Sequence, residues 1–142
     1  MANVIPFAFR GELFTGTHNF ASGGDSFKLA LYTANPYTTA STAYTATSEV
    51  SASGGSNYTA TGNALTGNAV AYSTAVASCD FADTEWTSAT FTAAFGAIYN
   101  DDQSDKLCVV LDFSGDKTAT NGTFKITFPS PSTPADAIIS MA

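Results

Sequence analysis

The fold is decided by residues 95–113, which read FGAIYNDDQSDKLCVVLDF. Two strongly apolar runs, residues 95–100 and 106–113, flank the polar turn NDDQSD. Short apolar runs joined by a few turn-forming residues are typical of neighbouring antiparallel strands. This stretch therefore predicts a β-hairpin, and it makes a mainly β fold the first hypothesis for the whole chain.

The strand pattern continues on both sides of the hairpin. Residues 26–33 alternate, with Phe27, Leu29 and Leu31 on one face and Lys28, Ala30 and Tyr32 on the other. Further short strands are expected at 65–72, 75–82, 87–93, 122–128 and 135–141, with Gly115-Asp116 and Asn121-Gly122 as turn signals. Seven or eight short strands predict an antiparallel β-sandwich or jelly-roll-like domain. Its expected core consists of Phe27, Leu29, Leu31, Phe81, Trp86, Phe91, Ile98, Leu107, Val109, Leu111, Phe124, Ile126 and Ile139.

One short N-terminal helix is expected over residues 5–15. Pro6 suits a first helical position, Phe9 and Leu13 share a face, and Gly16 is a suitable stop. Residues 34–62 form a long loop region rich in Thr, Ser, Gly and Tyr. Its tyrosines, Tyr37, Tyr44 and Tyr58, either contact a partner or fold back over the edge of the sandwich, and both interpretations stay open. Residues 1–142 are interpreted as one domain.

The composition excludes several classes of function. Of 142 residues only five are Lys or Arg, against 12 Asp or Glu, and the formal net charge is −7. Binding of nucleic acid through a basic face is therefore not expected, and an anionic membrane would repel the chain. Charged residues make up 12% of the sequence, about half the usual share, which leaves a surface poorly protected against association. We expect that surface to be partly covered by neighbouring subunits, and the alternative is that its hydroxyl-rich side chains keep the protein soluble. The N-terminus does not resemble a signal peptide, so synthesis without export is expected.

Candidate catalytic groups are scarce. His18 is the only histidine, and we interpret it as a capping or surface residue. Asp80, paired with Asp83 or Glu85, offers two carboxylates, but no groove around them is evident from the sequence. We expect no enzymatic activity and assign no catalytic, cofactor-binding or metal-binding residues.

Two further patterns have structural interpretations. Asn100, Asp102 and Ser104 place oxygen atoms at the first, third and fifth positions of a calcium-type loop. The glycine and glutamate that such loops require are missing, so a solvated turn is expected. Cys79 and Cys108 lie in apolar or alternating segments, which favours two buried thiols, while a disulfide between neighbouring strands stays an alternative.

Several segments together resemble a known family over nearly the whole chain. They are DSFKLALYT (25–33), EV (49–50), NALTG (63–67), CDFADTEW (79–86), GAIYN (96–100), VLDF (110–113), FKITFP (124–129) and DAII (136–139). In this order they resemble a family of small proteins encoded among the structural genes of tailed bacteriophages. The resemblance implies a virion component and no catalytic residues.

The leading hypothesis is a capsid cement or decoration protein. It predicts binding to the phage major capsid protein, self-association as a dimer or trimer, and a place on the virion surface after assembly in the host cytoplasm. The five basic residues, Arg10, Lys28, Lys106, Lys117 and Lys125, are then contacts to a partner. The alternatives are a tail- or fibre-associated subunit and a carbohydrate-binding adhesion module with Trp86 or the loop tyrosines as stacking platforms.

Overall fold

In the computed structural model, which describes residues 3–73, 75–129 and 137–141, the chain forms two antiparallel β-sheets and one short α-helix. One sheet has four strands in the order β2-β1-β5-β6, and the other has three in the order β3-β4-β7. The elements are α1 (Phe7–Phe14), β1 (Phe27–Tyr32), β2 (Asn63–Ala64), β3 (Ala69–Tyr72), β4 (Ala77–Asp80), β5 (Thr84–Asn100), a 3₁₀ turn (Asp101–Gln103), β6 (Lys106–Ile126) and β7 (Ile139–Met141). The expected mainly β, antiparallel fold with one N-terminal helix is confirmed.

Two long strands, β5 and β6, replace four of the short strands expected from the sequence. They pair antiparallel from Thr84 with Ile126 to Asn100 with Lys106, across the predicted hairpin turn. Where the sequence predicted the ends of separate strands, the structure has bulges within this two-stranded ribbon. The pairing register shifts between Ala93 and Phe95, and residues 113–116 bulge out of β6 there. Bulged residues can take a positive φ, so Gly115 and its neighbours bend the strand here without ending it.

The smaller strands also differ in extent from the expectation. Of predicted strand 65–72, only residues 69–72 form a strand, β3, and the short strand β2 lies just before the predicted range. The segment between β2 and β3 contains Gly67 in the left-handed region, at φ +64°. Predicted strand 75–82 shortens to β4. Of predicted strand 135–141, residues 135 and 136 lie outside the described part, and 139–141 form β7.

The main core lies between the two sheets, in a sandwich-like arrangement. It joins Phe27, Leu29 and Leu31 of β1 to Cys79 of β4 and Ile139 of β7. All the core residues expected from the sequence are buried except Ile126, which packs against the core while partly exposed. Helix α1 contributes Phe9, which is fully buried and was missed at the sequence level.

The second face of the four-stranded sheet is covered by the long loop region. Ala30 and Tyr32 of β1, and Ala97 and Tyr99 of β5, form a second apolar cluster with Tyr37 from the loop. Both faces of β1 are therefore buried, although its sequence alternates. The loop also pairs with strand edges, since Val50 N–H donates to Leu31 O at 2.9 Å.

Candidate functional site

A buried polar cluster joins the region after α1 to the tip of the β5–β6 hairpin. His18 is at its centre: Nε2 lies 2.8 Å from Glu12 Oε2, and Nδ1 lies 2.9 Å from Asn100 Nδ2. The imidazole ring packs between Phe9 and Phe20, with centroid separations of 5.1 and 6.0 Å. The interpretation of His18 as a surface residue was therefore wrong, because the chain after α1 turns its side chain inward.

Asn100 fixes the protonation pattern of this cluster. Its Oδ1 accepts a hydrogen bond from the Asp102 backbone N–H at 3.1 Å, so its amide nitrogen faces the other way. That nitrogen donates to His18 Nδ1 and, at 2.8 Å, to Asp25 Oδ2. Because Nδ1 accepts, the imidazole proton is on Nε2 and is donated to Glu12.

The two carboxylates of the cluster are held ionised by their partners. Burial alone raises the pKa of Glu12, but hydrogen bonds from Lys106 and His18 outweigh it and leave this pKa below its ordinary value. Lys106 Nζ lies 2.6 Å from Glu12 Oε1. Burial likewise raises the pKa of Asp25, and hydrogen bonds from Asn100 and the Asn19 backbone bring it below the ordinary value. The cluster thus contains compensated charges.

Cys108 lies beside this cluster in a geometry related to that of a thiol–imidazole–carboxylate triad. Its Sγ is 4.0 Å from His18 Nδ1. However, Asn100 already occupies Nδ1, the thiol is fully buried, and burial raises its pKa well above the ordinary value. A thiol in that state keeps its proton, and nucleophilic attack requires the thiolate. The arrangement positions the hairpin tip against α1.

Both cysteines are buried and free, as the first of the two sequence interpretations predicts. Burial raises the pKa of Cys79 to about 12, with a smaller contribution from the neighbouring Asp80 carboxylate. The disulfide alternative is not realised in the structure.

The three carboxylates singled out in the sequence, Asp80, Asp83 and Glu85, lie in different environments. Asp83 accepts from the Phe128 backbone N–H at 3.0 Å and pairs with Lys125 at 2.9 Å, and the lysine hydrogen bond lowers the pKa of Asp83. Asp80 is buried at the end of β4, and its Oδ1 has no hydrogen-bond partner among the described residues. Glu85 is exposed, opposite Lys125 in the β5–β6 register.

In the turn with calcium-type spacing, side-chain oxygens bond to other residues of the chain. Asp102 Oδ2 accepts from the Ser26 backbone N–H at 2.6 Å, and Asp101 Oδ1 pairs with Lys28 at 2.8 Å. Asn100, the first residue of the pattern, is fully buried in the cluster described above. These oxygens fasten the hairpin tip to the start of β1.

The loop tyrosines fold back onto the sheet, which decides between the two interpretations left open by the sequence. Tyr44 and Tyr58 donate to the two carboxylate oxygens of Glu49, at 2.6 and 2.7 Å. Tyr37 and Tyr32 share a hydrogen bond of 2.6 Å between their hydroxyls. Burial and the Glu49 carboxylate together raise the pKa of Tyr44, so its hydroxyl stays a donor.

Trp86 is also internal. It is 3% exposed and stacks on Tyr58 with a centroid separation of 5.8 Å. Trp86 and Tyr58 therefore present no open face on which a sugar ring could stack.

The surface is distinguished by large apolar side chains that are more than half exposed among the described residues. Phe14 is 94% exposed and Tyr72 is 82% exposed, and Phe7, Val70 and Met141 are each more than half exposed. They form two groups. Phe7 and Phe14 lie two helical turns apart and so share one face of α1, while Val70, Tyr72 and Met141 belong to the three-stranded sheet.

The helical group includes a basic residue. Arg10 lies between Phe7 and Phe14 in helical spacing, and its guanidinium carbon is 4.7 Å from the centroid of the Phe7 ring. We call Phe7, Arg10 and Phe14 the α1 stripe. Three of the other basic residues, Lys28, Lys106 and Lys125, form ion pairs within the chain. Of the five basic residues expected to contact a partner, Arg10 and Lys117 are therefore the stronger candidates.

The sheet group borders an apolar groove of about 120 Å³. Its lining includes Leu13, Phe20, Val70, Ile139 and Met141. Cross-strand register places Val70 beside Cys79, and Cys79 beside Ile139, so these side chains share one face of the sheet. The groove is the uncovered continuation of the main core.

Within the described residues, no helix has the length and apolar character needed to cross a membrane. Comparison of the chain with models of protein families finds no match, and comparisons with curated proteins and with solved structures find none either.

Proposed function

We propose that this chain is a virion structural protein, a capsid cement or decoration protein that binds the major capsid protein shell of a tailed bacteriophage and stabilises the head. The choice of a virion structural protein follows from the sequence segments that, in their order along the chain, resemble phage structural proteins. The observation that carries the proposal is the α1 stripe, an aromatic–arginine–aromatic surface on a rigid scaffold. Aromatic residues and arginine are enriched where proteins bind each other.

The internal bonding of the polar groups supports this proposal. His18, Glu12 and Asn100 fasten the helix to the hairpin, and the Leu31 backbone N–H, which donates to the Tyr58 hydroxyl at 3.0 Å, fastens the loop to β1. These contacts give α1 a fixed position over the core. A fixed surface loses little entropy when it binds, which favours association with a repeating shell.

We infer that the α1 stripe contacts the shell. Each copy then places the Phe14 ring, now in water, against an apolar depression of the capsid protein. One such contact is weak, but a shell offers many equivalent sites, and contacts between neighbouring bound copies add to the effective affinity.

The test uses heads purified without this protein and then incubated with it. Wild-type protein is expected to bind in many copies distributed over the head and to raise the temperature at which full heads release DNA. Copy number is measured by quantitative mass spectrometry and position by reconstruction of the particle. A few copies at one vertex or on the tail would support the tail-associated alternative and contradict the cement proposal.

A matched pair of variants tests the contact. Phe14→Ser removes an almost fully exposed ring and leaves the fold intact, while Thr120→Ser changes an exposed residue of β6. We expect Phe14→Ser to lower head occupancy about tenfold or more at limiting concentration, as a loss of 1.4 kcal/mol or more per site produces. Thr120→Ser should bind like the wild type. Equal binding by both variants rules out the α1 stripe as the shell contact.

A further inference from the structure

Strand β3 is an edge strand with an unusually apolar sequence. Its four residues read AVAY, and among the described residues β3 pairs with β4 alone. Natural edge strands commonly carry lysine, proline or a bulge that prevents pairing with another chain. None of these is present in β3.

The hydrogen-bond pattern of the β3–β4 hairpin shows which backbone groups of β3 point away from β4. Ser73 N–H donates to Val76 O at 2.9 Å, so this pair is hydrogen-bonded. Bonded and non-bonded pairs alternate along an antiparallel ladder. Ala71 and Ala69 therefore direct their N–H and C=O groups toward β4, whereas Val70 and Tyr72 direct theirs to the outer edge.

From this edge we propose that a second copy of the chain docks on β3, antiparallel, with Ala71 on the two-fold axis. In this register Val70 of each copy lies opposite Tyr72 of the other. The two bonded pairs supply four main-chain hydrogen bonds and extend the three-stranded sheets into one six-stranded sheet. Strand β3 is then the surface through which neighbouring copies contact each other, and this inference rests on the contacts between copies in the proposed function.

The side chains complement each other in the same register. Val70 lines the apolar groove, and Tyr72 is exposed on the same face of the sheet. Tyr72 of one copy, directly across from Val70 of the other, lies at the rim of that copy's groove. Aromatic and β-branched side chains in such cross-strand positions stabilise the pairing.

The charge distribution allows a second copy to approach this edge. The chain carries a net charge of −7, so most approaches of two copies bring like charges together. β3 has no charged residue, and neither do the residues that line the groove. This surface is therefore one where two copies meet with little repulsion. A four-residue strand is only about 13 Å long, so the isolated pair is expected to be weak and dependent on concentration.

Hydrogen exchange of the purified wild-type protein tests the edge directly. Between about 10 μM and 1 mM protein, the amides of Val70 and Tyr72 should slow by about tenfold, while the Ala71 amide keeps its rate because it is already bonded to β4. No change at Val70 and Tyr72 would overturn the proposal. Equal slowing at all three would also overturn it, since that indicates general stabilisation.

Two cysteine variants test the register. Residue 71 faces its own symmetry mate in a non-bonded pair, where Cα atoms lie about 4.5 Å apart and a disulfide fits. Ala71→Cys should give mostly disulfide-linked dimer under mild oxidation. The control Ala69→Cys, two residues along the same strand, is more than about 13 Å from its mate and should stay monomeric. Equal crosslinking of both variants contradicts the register.

Charge substitutions at positions 70 and 72 distinguish specific β3–β3 pairing from non-specific association. The double variant V70E/Y72E places glutamates opposite each other and should abolish the concentration-dependent protection. V70K/Y72E places a lysine opposite a glutamate across both pairs and should restore dimers in sedimentation velocity. Failure of the restoration contradicts the pairing of positions 70 and 72. All these measurements use protein free of capsids, so a negative result leaves shell binding through the α1 stripe untouched.

Discussion

Replacement of Asn100 by aspartate is the sharpest test of the buried cluster. The change keeps the size and shape of the side chain but replaces its donor nitrogen by a carboxylate oxygen. In the native protein that nitrogen donates to Asp25 at 2.8 Å and to His18 at 2.9 Å, and the residue is fully buried. The variant therefore places a second carboxylate against Asp25 without opening a cavity.

The expected loss of stability follows from those contacts. A hydrogen bond to a charged partner contributes about 1.5–3 kcal/mol, and one to a neutral partner about 0.5–1.5 kcal/mol. A buried charge without compensation costs about 3–5 kcal/mol. We expect Asn100→Asp to lower the free energy of unfolding by about 3–5 kcal/mol at pH 7.5, a large part of the total for a domain of this size.

The loss must also depend on pH. Burial and the neighbouring Asp25 raise the pKa of the introduced carboxyl above its unfolded value, so the folded variant binds more protons than the unfolded chain. Its stability relative to the wild type therefore increases as pH falls. At pH 5 the protonated carboxyl donates one bond to Asp25, and the loss should shrink to about 1–2 kcal/mol.

Urea unfolding monitored by the fluorescence of Trp86, the only tryptophan, measures both effects. Asn57→Asp is the matched control because Asn57 is exposed, its side-chain amide donates to Ser88 O, and its φ of +56° is one that aspartate tolerates. It should change stability by less than about 1 kcal/mol. If Asn100→Asp cost no more than this control, or lost the same amount at both pH values, the arrangement of the cluster would be refuted.

Three further changes test other parts of the structure. Gly62→Ala should lower the free energy of unfolding by more than about 3 kcal/mol in urea titrations, because a Cβ there collides with a backbone carbonyl of β1. The control Gly54→Ala, which is also at positive φ but in open space, should cost about 1 kcal/mol, and equal losses would contradict the close approach of Gly62 to β1. The lowered pKa of Glu12 predicts that the contribution of this carboxylate to stability is present above pH 4.5 and is lost as pH falls through the folded pKa. Glu12→Gln should therefore flatten this part of a melting-temperature profile between pH 7 and pH 3, and an unchanged slope would show that Glu12 does not contribute. Cys79 and Cys108 should not react with a thiol reagent in native protein and should both react in denaturant, and rapid native labelling would contradict their burial.

The sequence predicts this fold well where local patterns determine it. The hairpin around residues 100–105 and the alternation of β1 depend on neighbouring residues, and both are confirmed. The length of β5 and β6 was not predictable in the same way. Gly115 and Asn121 are turn-forming residues in sequence, and only the pairing partner shows that they are bulges.

The buried cluster was beyond sequence reasoning for a physical reason. His18 meets Asn100 across 82 positions, and Glu12 meets Lys106 across 94. No periodicity within a window of the chain carries information on such contacts. The exposed surface was equally hidden, because Phe14 and Phe9 look alike in composition until the helix places them on opposite sides.

The long β5–β6 ribbon also has a consequence for the order of events in folding. Its two strands are joined by a five-residue connection, so the ribbon closes from the turn at little cost in loop entropy, whereas β1 must find β5 from about 70 residues away. The ribbon is therefore expected to form early and to present one edge of β5 as the template on which β1 docks. Substitutions at the 101–103 turn should then slow refolding, whereas substitutions in β2 should mainly speed unfolding.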